Sequence, residues 1–157
     1  MLIRSATTAD FEAWLCLRAA LWPDSPETDH RREMQDILAK PARLACFIAQ
    51  ASDGQLCGFL EASLREYADG CDTSPVGYIE GWYVEPAVQR QGIGRLLVQA
   101  VEAWASQRGC TEMASDCLED NAVSLSAHLA LGYQEAERLI HFRKDLPQND
   151  TSGAKQP

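Results

Sequence analysis

The residues best suited to chemistry cluster in one stretch, Gly81 to Trp104, and just before it. Gln89-x-x-Gly92-x-Gly94 follows the apolar Trp82-Tyr83-Val84 and opens onto a run with helical spacing. The first backbone N–H groups of a helix lack intrahelical acceptors, and glycines let a ligand come close, so this arrangement is an anion cradle suited to a pyrophosphate. Gly92-Ile93-Gly94-Arg95-Leu96-Leu97 lacks the third glycine of a dinucleotide fold, and no Gly-Lys-Ser/Thr follows for a P-loop. A glycine-rich strand-to-helix turn with no ligand would carry the same letters. Upstream, Glu80 interrupts Ile79-Glu80-Gly81-Trp82, an awkward place for a charge that only solubilises.

Positioning these groups requires a sheet and several helices. Leu2 to Ser5 reads as a first strand, and Thr7 to Asp10 as the N-cap region of a helix carrying Phe11, Trp14, Leu15, Leu17, Arg18 and Leu21. Pro23 ends it and biases Trp22 toward an extended conformation. A second helix is expected over Glu27 to Ala39. Leu44 to Gln50 and Gln55 to Leu64 then form a hairpin about Ser52-Asp53-Gly54. Glu66 to Pro75 is a polar loop, and Val76 to Val84 the next strand. Gly92 to Arg108 is a helix with Ile93, Leu96, Leu97, Ala100, Val101 and Trp104 on one face, stopped by Gly109. A short strand over Thr111 to Ser115, a helix over Asn121 to Leu131, and a closing pair of strands over Tyr133 to Glu135 and Arg138 to Lys144 complete the order. The sum is an α/β domain with a mixed, mostly antiparallel central sheet and helices on both faces. One domain covers residues 1–146, and a disordered tail is expected over 147–157.

The chain has 157 residues, 46% hydrophobic and 24% charged, with a formal net charge of −9. That charge argues against nucleic acid, whose binding depends on neutralising phosphates with Lys and Arg, and favours a cationic partner. No apolar run approaches the roughly 20 residues of a membrane span, and no signal sequence opens the chain, so a cytoplasmic protein without membrane attachment is expected. The six cysteines are scattered without a C-x-x-C, which suits small core residues better than disulfides or a metal site.

Gln89-x-x-Gly92-x-Gly94, between its strand and its helix and followed in order by the Thr111 to Ser115 strand, Asn121 and Leu131-Gly132-Tyr133, resembles the GCN5-related N-acetyltransferase (GNAT) signature. Trp22, Glu61-Ala62-Ser63, Glu66-Tyr67, Thr73-Ser74-Pro75-Val76-Gly77, Glu80-Gly81-x-Tyr83-Val84, Thr111-Glu112-x-Ala114-Ser115-Asp116 and Gly132-Tyr133-Gln134-Glu135 extend the likeness to the aminoglycoside 6′-N-acetyltransferases. The resemblance spans residues 1–146. It implies the GNAT fold, acetyl-coenzyme A (acetyl-CoA) as co-substrate with no metal, a polycationic aminoglycoside as acceptor, antibiotic resistance, and a homodimer built through the C-terminal strands. It also implies cofactor contacts from Trp82, Tyr83, Val84, Arg90, Gln91, Gly92, Ile93, Gly94, Arg95 and Asn121, and substrate contacts from Trp22, Tyr67, Glu80, Asp116 and Glu137.

Within that resemblance Glu80 is expected to position the 6′-amine and remove its proton through water, because only a neutral amine attacks a thioester. A backbone N–H near Val84 would polarise the acetyl carbonyl. Where many GNAT members carry a tyrosine that protonates the departing thiolate, this chain has His128. His128, Tyr133 or solvent could therefore supply that proton. Cys117 lacks a recognisable His partner for covalent transfer. Acetylation of another amine, such as a polyamine or a protein N-terminus, and a non-catalytic acetyl-CoA sensor remain the competing functions.

Overall fold

A computed structural model describes residues 1–147. Five strands lie in the order β1 (Leu2–Ser5), β2 (Leu44–Gln50), β3 (Leu56–Arg65), β4 (Val76–Val84) and β5 (Met113–Ser115). The first three pairings are antiparallel and β4–β5 is parallel, matching the mixed sheet expected from the sequence. Four α-helices accompany them: α1 (Phe11–Leu21), α2 (Glu27–Ala39), α3 (Ile93–Ser106) and α4 (Ala122–Ala130).

Alternation along the strands divides the core in two. Trp14, Leu17, Met34, Ile48 and Phe59 pack α1 and α2 on one face. Leu60, Ala62, Ile79, Leu97, Val98 and Val101 pack α3 on the other. A carboxylate fastens the start of α1: Asp10 accepts the Thr7 N–H and hydroxyl, each at 2.8 Å, and pairs with Arg4 at 2.7 Å. Those donors, Arg4 foremost, hold the Asp10 carboxyl down to about 2.

Two features of the sheet prepare a site. Between β3 and β4 the register passes from Glu61↔Gly81 to Ala62↔Ile79, so Glu80 has no opposite residue and forms a β-bulge. The bulge inverts the alternation of β4: Ile79 faces α3, Gly81 faces Trp22 after α1, and Trp82 faces α3 again. Second, β5 pairs with β4 only from Gly77↔Met113 to Ile79↔Ser115, while β4 runs on to Val84. β5 therefore ends at Ser115 while β4 continues, leaving the upper edge of β4 open.

The closing pair of strands is not formed. Residues 133–147 adopt no regular secondary structure, although Tyr133 still packs on the α3 core. A strand exists only through a partner's hydrogen bonds, and β5, three residues long, offers a short edge. Ile140 and Phe142 are consequently 81% and 93% exposed. The tail expected over 147–157 lies, from residue 148 on, outside the described residues.

Candidate active site

The bulge aims Glu80 out of an otherwise apolar strand, and its carboxylate is heavily engaged. Arg65, the last residue of β3, grips it with both arms, Nε to Oε1 at 3.0 Å and Nη2 to Oε2 at 2.7 Å. Ser63, two residues earlier on the same face, donates its hydroxyl to Oε1. The Arg65 guanidinium also lies on the Tyr78 ring, 3.4 Å from its centroid, and the Tyr78 hydroxyl donates to Asp116 at 2.8 Å. Burial, then the Asp116 carboxylate, pushes the Tyr78 phenol up, so it stays a donor.

Trp22 closes the other side. Its ring lies against Gly81, stacks on His30 with centroids 6.4 Å apart, and carries the Arg18 guanidinium 4.9 Å from its own centroid. A cavity of about 470 Å³ opens here, lined by Trp22, His30, Glu33, Asp36, Glu61 and Glu80 among others. Glu61, buried, accepts from Trp14 Nε1 at 2.8 Å and lies 3.5 Å from Arg18 Nε; burial outweighs both and raises its carboxyl to about 7.

Tyr67 stands at the rim, largely exposed, its hydroxyl donating to Asp69 at 2.7 Å. Glu112 fixes this loop by accepting the backbone N–H of Asp72 at 3.0 Å and of Thr73 at 2.8 Å, together with the Thr73 hydroxyl. Ala136 rests against Gly70 across the loop, and the Glu137 carboxylate is near enough to help raise the Tyr67 phenol. Trp22 and Glu80 thus line the cavity, Asp116 joins Glu80 through Tyr78 and Arg65, and Tyr67 lies within electrostatic reach of Glu137.

The anion cradle sits beyond the end of β4. Arg90 and Gly92 both have left-handed backbones, φ 62° and 82°, which turn the chain sharply into α3. A Cβ on Gly92 would meet nothing within 4 Å, so conformation, not space, calls for glycine there. At Gly94 the reverse holds: a Cβ would approach the Trp82 ring to 2.7 Å. No side chain caps the N-terminus of α3, so its first-turn N–H groups are left for an anion. Arg90, Gln91 and Arg95 are exposed around this mouth, whereas Ile93 is buried and Trp82 packs on the core, so these two can offer a ligand little beyond their main chain.

Glu85 N–H donates to Cys57 C=O, which makes that pair a hydrogen-bonded one and its neighbour, Val84 opposite Gly58, a non-hydrogen-bonded one. By the alternation of antiparallel ladders, the N–H and C=O of Val84 point away from β3, toward the open edge. Gln89 Nε2 takes the Val84 carbonyl at 3.0 Å and ties the cradle to the strand. An open edge with backbone donors that ends at an uncapped helix fits a long ligand carrying a pyrophosphate.

The sequence profile described as the acetyltransferase (GNAT) family matches residues 11–133. The chain belongs to the GNAT family. Aminoglycoside N(6′)-acetyltransferase type 1 of Klebsiella aerogenes is 46% identical over 149 residues, covering 92% of this chain and 97% of that protein. The enzyme of the same name from Stenotrophomonas maltophilia is also 46% identical, over 92% and 93%. Among solved structures, AAC(6′)-Iy in complex with the bisubstrate analog CoA-S-monomethyl-acetylneamine superposes with a TM-score of 0.88 at 42% identity, over 92% of this chain and 98% of that one. The apo structure of AAC(6′)-IG from Acinetobacter haemolyticus gives 0.87 at 42% identity, over 94% and 100%.

In this GNAT chain, α4 reaches the end of β5 and the Trp82 ring through His128. Asn121 caps it, its Oδ1 accepting Ser124 N–H at 3.0 Å, which leaves the amide NH₂ to point elsewhere. His128 is held at both nitrogens: Nδ1 lies 2.8 Å from the Ser124 carbonyl and Nε2 3.0 Å from Ser115 Oγ. A carbonyl can only accept, so Nδ1 carries a proton. The ring meets Trp82 and Tyr133 edge-on, at 5.4 and 5.5 Å. Tyr133 directs its hydroxyl to Glu102 at 3.3 Å, and burial raises its phenol. Cys117 is exposed.

Three polar residues around Glu80 were given no site role from sequence, although Glu61-Ala62-Ser63 is among the motifs that carry the resemblance. Glu61, Ser63 and Arg65 occupy alternate positions of β3, one face of the strand. That polar face, in a strand whose other positions from Phe59 to Leu64 are apolar, was the available signal.

Proposed function

We propose that this chain transfers acetyl from acetyl-CoA to the 6′-amine of aminoglycosides, lowering their positive charge and conferring resistance. The observation that carries this reading is the emergence of Glu80 from a β-bulge below the open upper edge of β4, in a cavity lined by Trp22 and joined to Asp116 through Arg65 and Tyr78. Carboxylates recognise ring ammonium groups through charge-assisted hydrogen bonds of about 1.5–3 kcal/mol each. The similarity to aminoglycoside N(6′)-acetyltransferases over nearly the whole chain supports the choice of acceptor.

Acetyl-CoA supplies the acetyl group as a thioester. The first turn of α3 with Arg90, Gln91 and Arg95 holds its pyrophosphate, the main chain of Trp82 to Val84 holds its pantetheine, and Asn121 contributes from α4. Glu80 accepts the amine proton through a water as nitrogen bonds to the carbonyl carbon. The Val84 N–H donates to the carbonyl oxygen as negative charge develops there. The carbon–sulfur bond then breaks, and a His128 ring carrying a proton on each nitrogen gives the Nε2 proton to the departing sulfur, keeps Nδ1–H on the Ser124 carbonyl, and is reprotonated from solvent. Transfer is direct, without an acetyl-cysteine.

The enzyme acts as a cytoplasmic homodimer. Among the described residues no helix is long and apolar enough to cross a membrane. Leu139, Ile140, Phe142 and Leu146 are exposed apolar side chains of the C-terminal segment, and β5 ends the sheet with a free edge, the kind of surface that a second copy covers.

Thiol release from acetyl-CoA tests the assignment. Turnover is expected with kanamycin and absent with the matching 6′-hydroxyl compound. Equal or faster turnover of spermidine or an amine-terminated peptide would reassign the acceptor, and no thiol release with any amine would leave only a binding module.

A further inference from the structure

The Glu80 carboxylate already holds a cation. Arg65 grips both of its oxygens, at 3.0 and 2.7 Å, and stacks on Tyr78, whose hydroxyl is bound to Asp116. One guanidinium therefore links two carboxylates, Glu80 directly and Asp116 through Tyr78. Oε1, with Ser63 and Arg65 Nε as donors, has both lone pairs used, and Oε2 keeps one. An ammonium that approaches Glu80 meets a like charge in the same place. Arg65 is free to yield: its side chain is 41% exposed, it ends β3, and a loop follows.

We propose that Arg65 is an internal competitor for the acceptor's place, a residue that sets an affinity threshold at Glu80 which a substrate carrying several ammonium groups passes and a monoamine does not. The proposal rests on the amine-acetyltransferase reading of this site. A monoamine exchanges one cation for another and forfeits the bidentate pair and the stacked ring. A polycation makes the same exchange at Glu80 but adds contacts at Asp116 and Glu137, so the balance turns in its favour. Arg65 thereby suppresses reaction of small cellular amines without an added steric barrier.

Arg65→Met keeps the apolar stem and removes the charge; Arg65→Lys keeps the charge and loses the fork. The assay compares kcat and KM for kanamycin with those for 6-amino-6-deoxyglucose, a monoamine. Arg65→Met is expected to lower KM for the monoamine about tenfold or more, and KM for kanamycin by a similar factor because both lose the same competitor, while Arg65→Lys keeps most of the suppression. If Arg65 only holds Glu80 in place, Arg65→Met lowers kcat for both acceptors and leaves KM for the monoamine unchanged, and that result overturns the proposal. Calorimetric titration of the wild type and Arg65→Met with kanamycin and with the monoamine, without acetyl-CoA, provides a second arm that needs no turnover. Tighter monoamine binding by Arg65→Met is expected there, and equal binding overturns the proposal. A wild type that releases no thiol with any amine would defeat the functional reading, while the titration still decides the role of Arg65.

Discussion

The Trp22 ring rests on the bare Cα of Gly81: a Cβ at that position would lie 2.3 Å from Cη2 and 2.6 Å from Cζ2 of the indole. Gly81→Ala must displace Trp22, which also packs edge-on to Phe59 at 6.1 Å. Overpacking of this kind costs about 1–3 kcal/mol, and the acceptor KM is expected to rise as the indole moves. Denaturant midpoints and KM in a double-mutant cycle with Trp22→Ala check the cause: in that background Gly81→Ala should be nearly silent.

Glu80→Gln keeps the volume of the carboxylate and removes its basicity. Loss of a general base predicts a fall in kcat of about 100-fold, with acetyl-CoA binding unchanged. A kcat within about threefold of wild type across pH 6 to 9 would remove Glu80 from the proton transfer.

Glu61 gives stability a pH signature. Its folded value of about 7 stands above the 4.5 of an ordinary glutamate because burial disfavours the charged form. Between those two values the folded state binds more protons than the unfolded one, so this group's contribution falls as pH rises from about 4.5 to about 7 and is lowest above that. The total is on the order of 3 kcal/mol. Denaturant titrations at pH 5 and pH 8 should show the difference between wild type and Glu61→Gln shifting toward the variant at the higher pH; a difference independent of pH would contradict the assignment.

The exposed apolar run after Tyr133 predicts a particle larger than one chain. Sedimentation velocity should find a dimer for the wild type and a monomer for the double substitution Ile140→Asp and Phe142→Asp, with the α3 core intact by circular dichroism. A monomeric wild type at micromolar concentration would refute the dimer.

The helices and the hairpin were legible in the sequence because their signals are local: apolar spacing along α3, Asp53-Gly54 between β2 and β3, and Gly92 at the mouth of α3. The cradle was legible for the same reason. The grip of Arg65 on Glu80 was not, since it joins residues on different strands through a register that a bulge shifts by one. The C-terminal segment misled in the opposite direction. Leu139, Ile140 and Phe142 read as strand residues by type, but strand formation depends on a partner edge, which composition does not supply.

The bulge at Glu80 makes β4 two strands out of phase. Running the same residues through a regular strand, with Glu80 paired instead of bulged, would bring Tyr83 into the α3 core and turn the Trp82 indole toward the acceptor, with the chemistry of every other side chain unchanged. The counting of residues along one strand, and not any single functional group, is what keeps donor and acceptor on their own sides of the sheet.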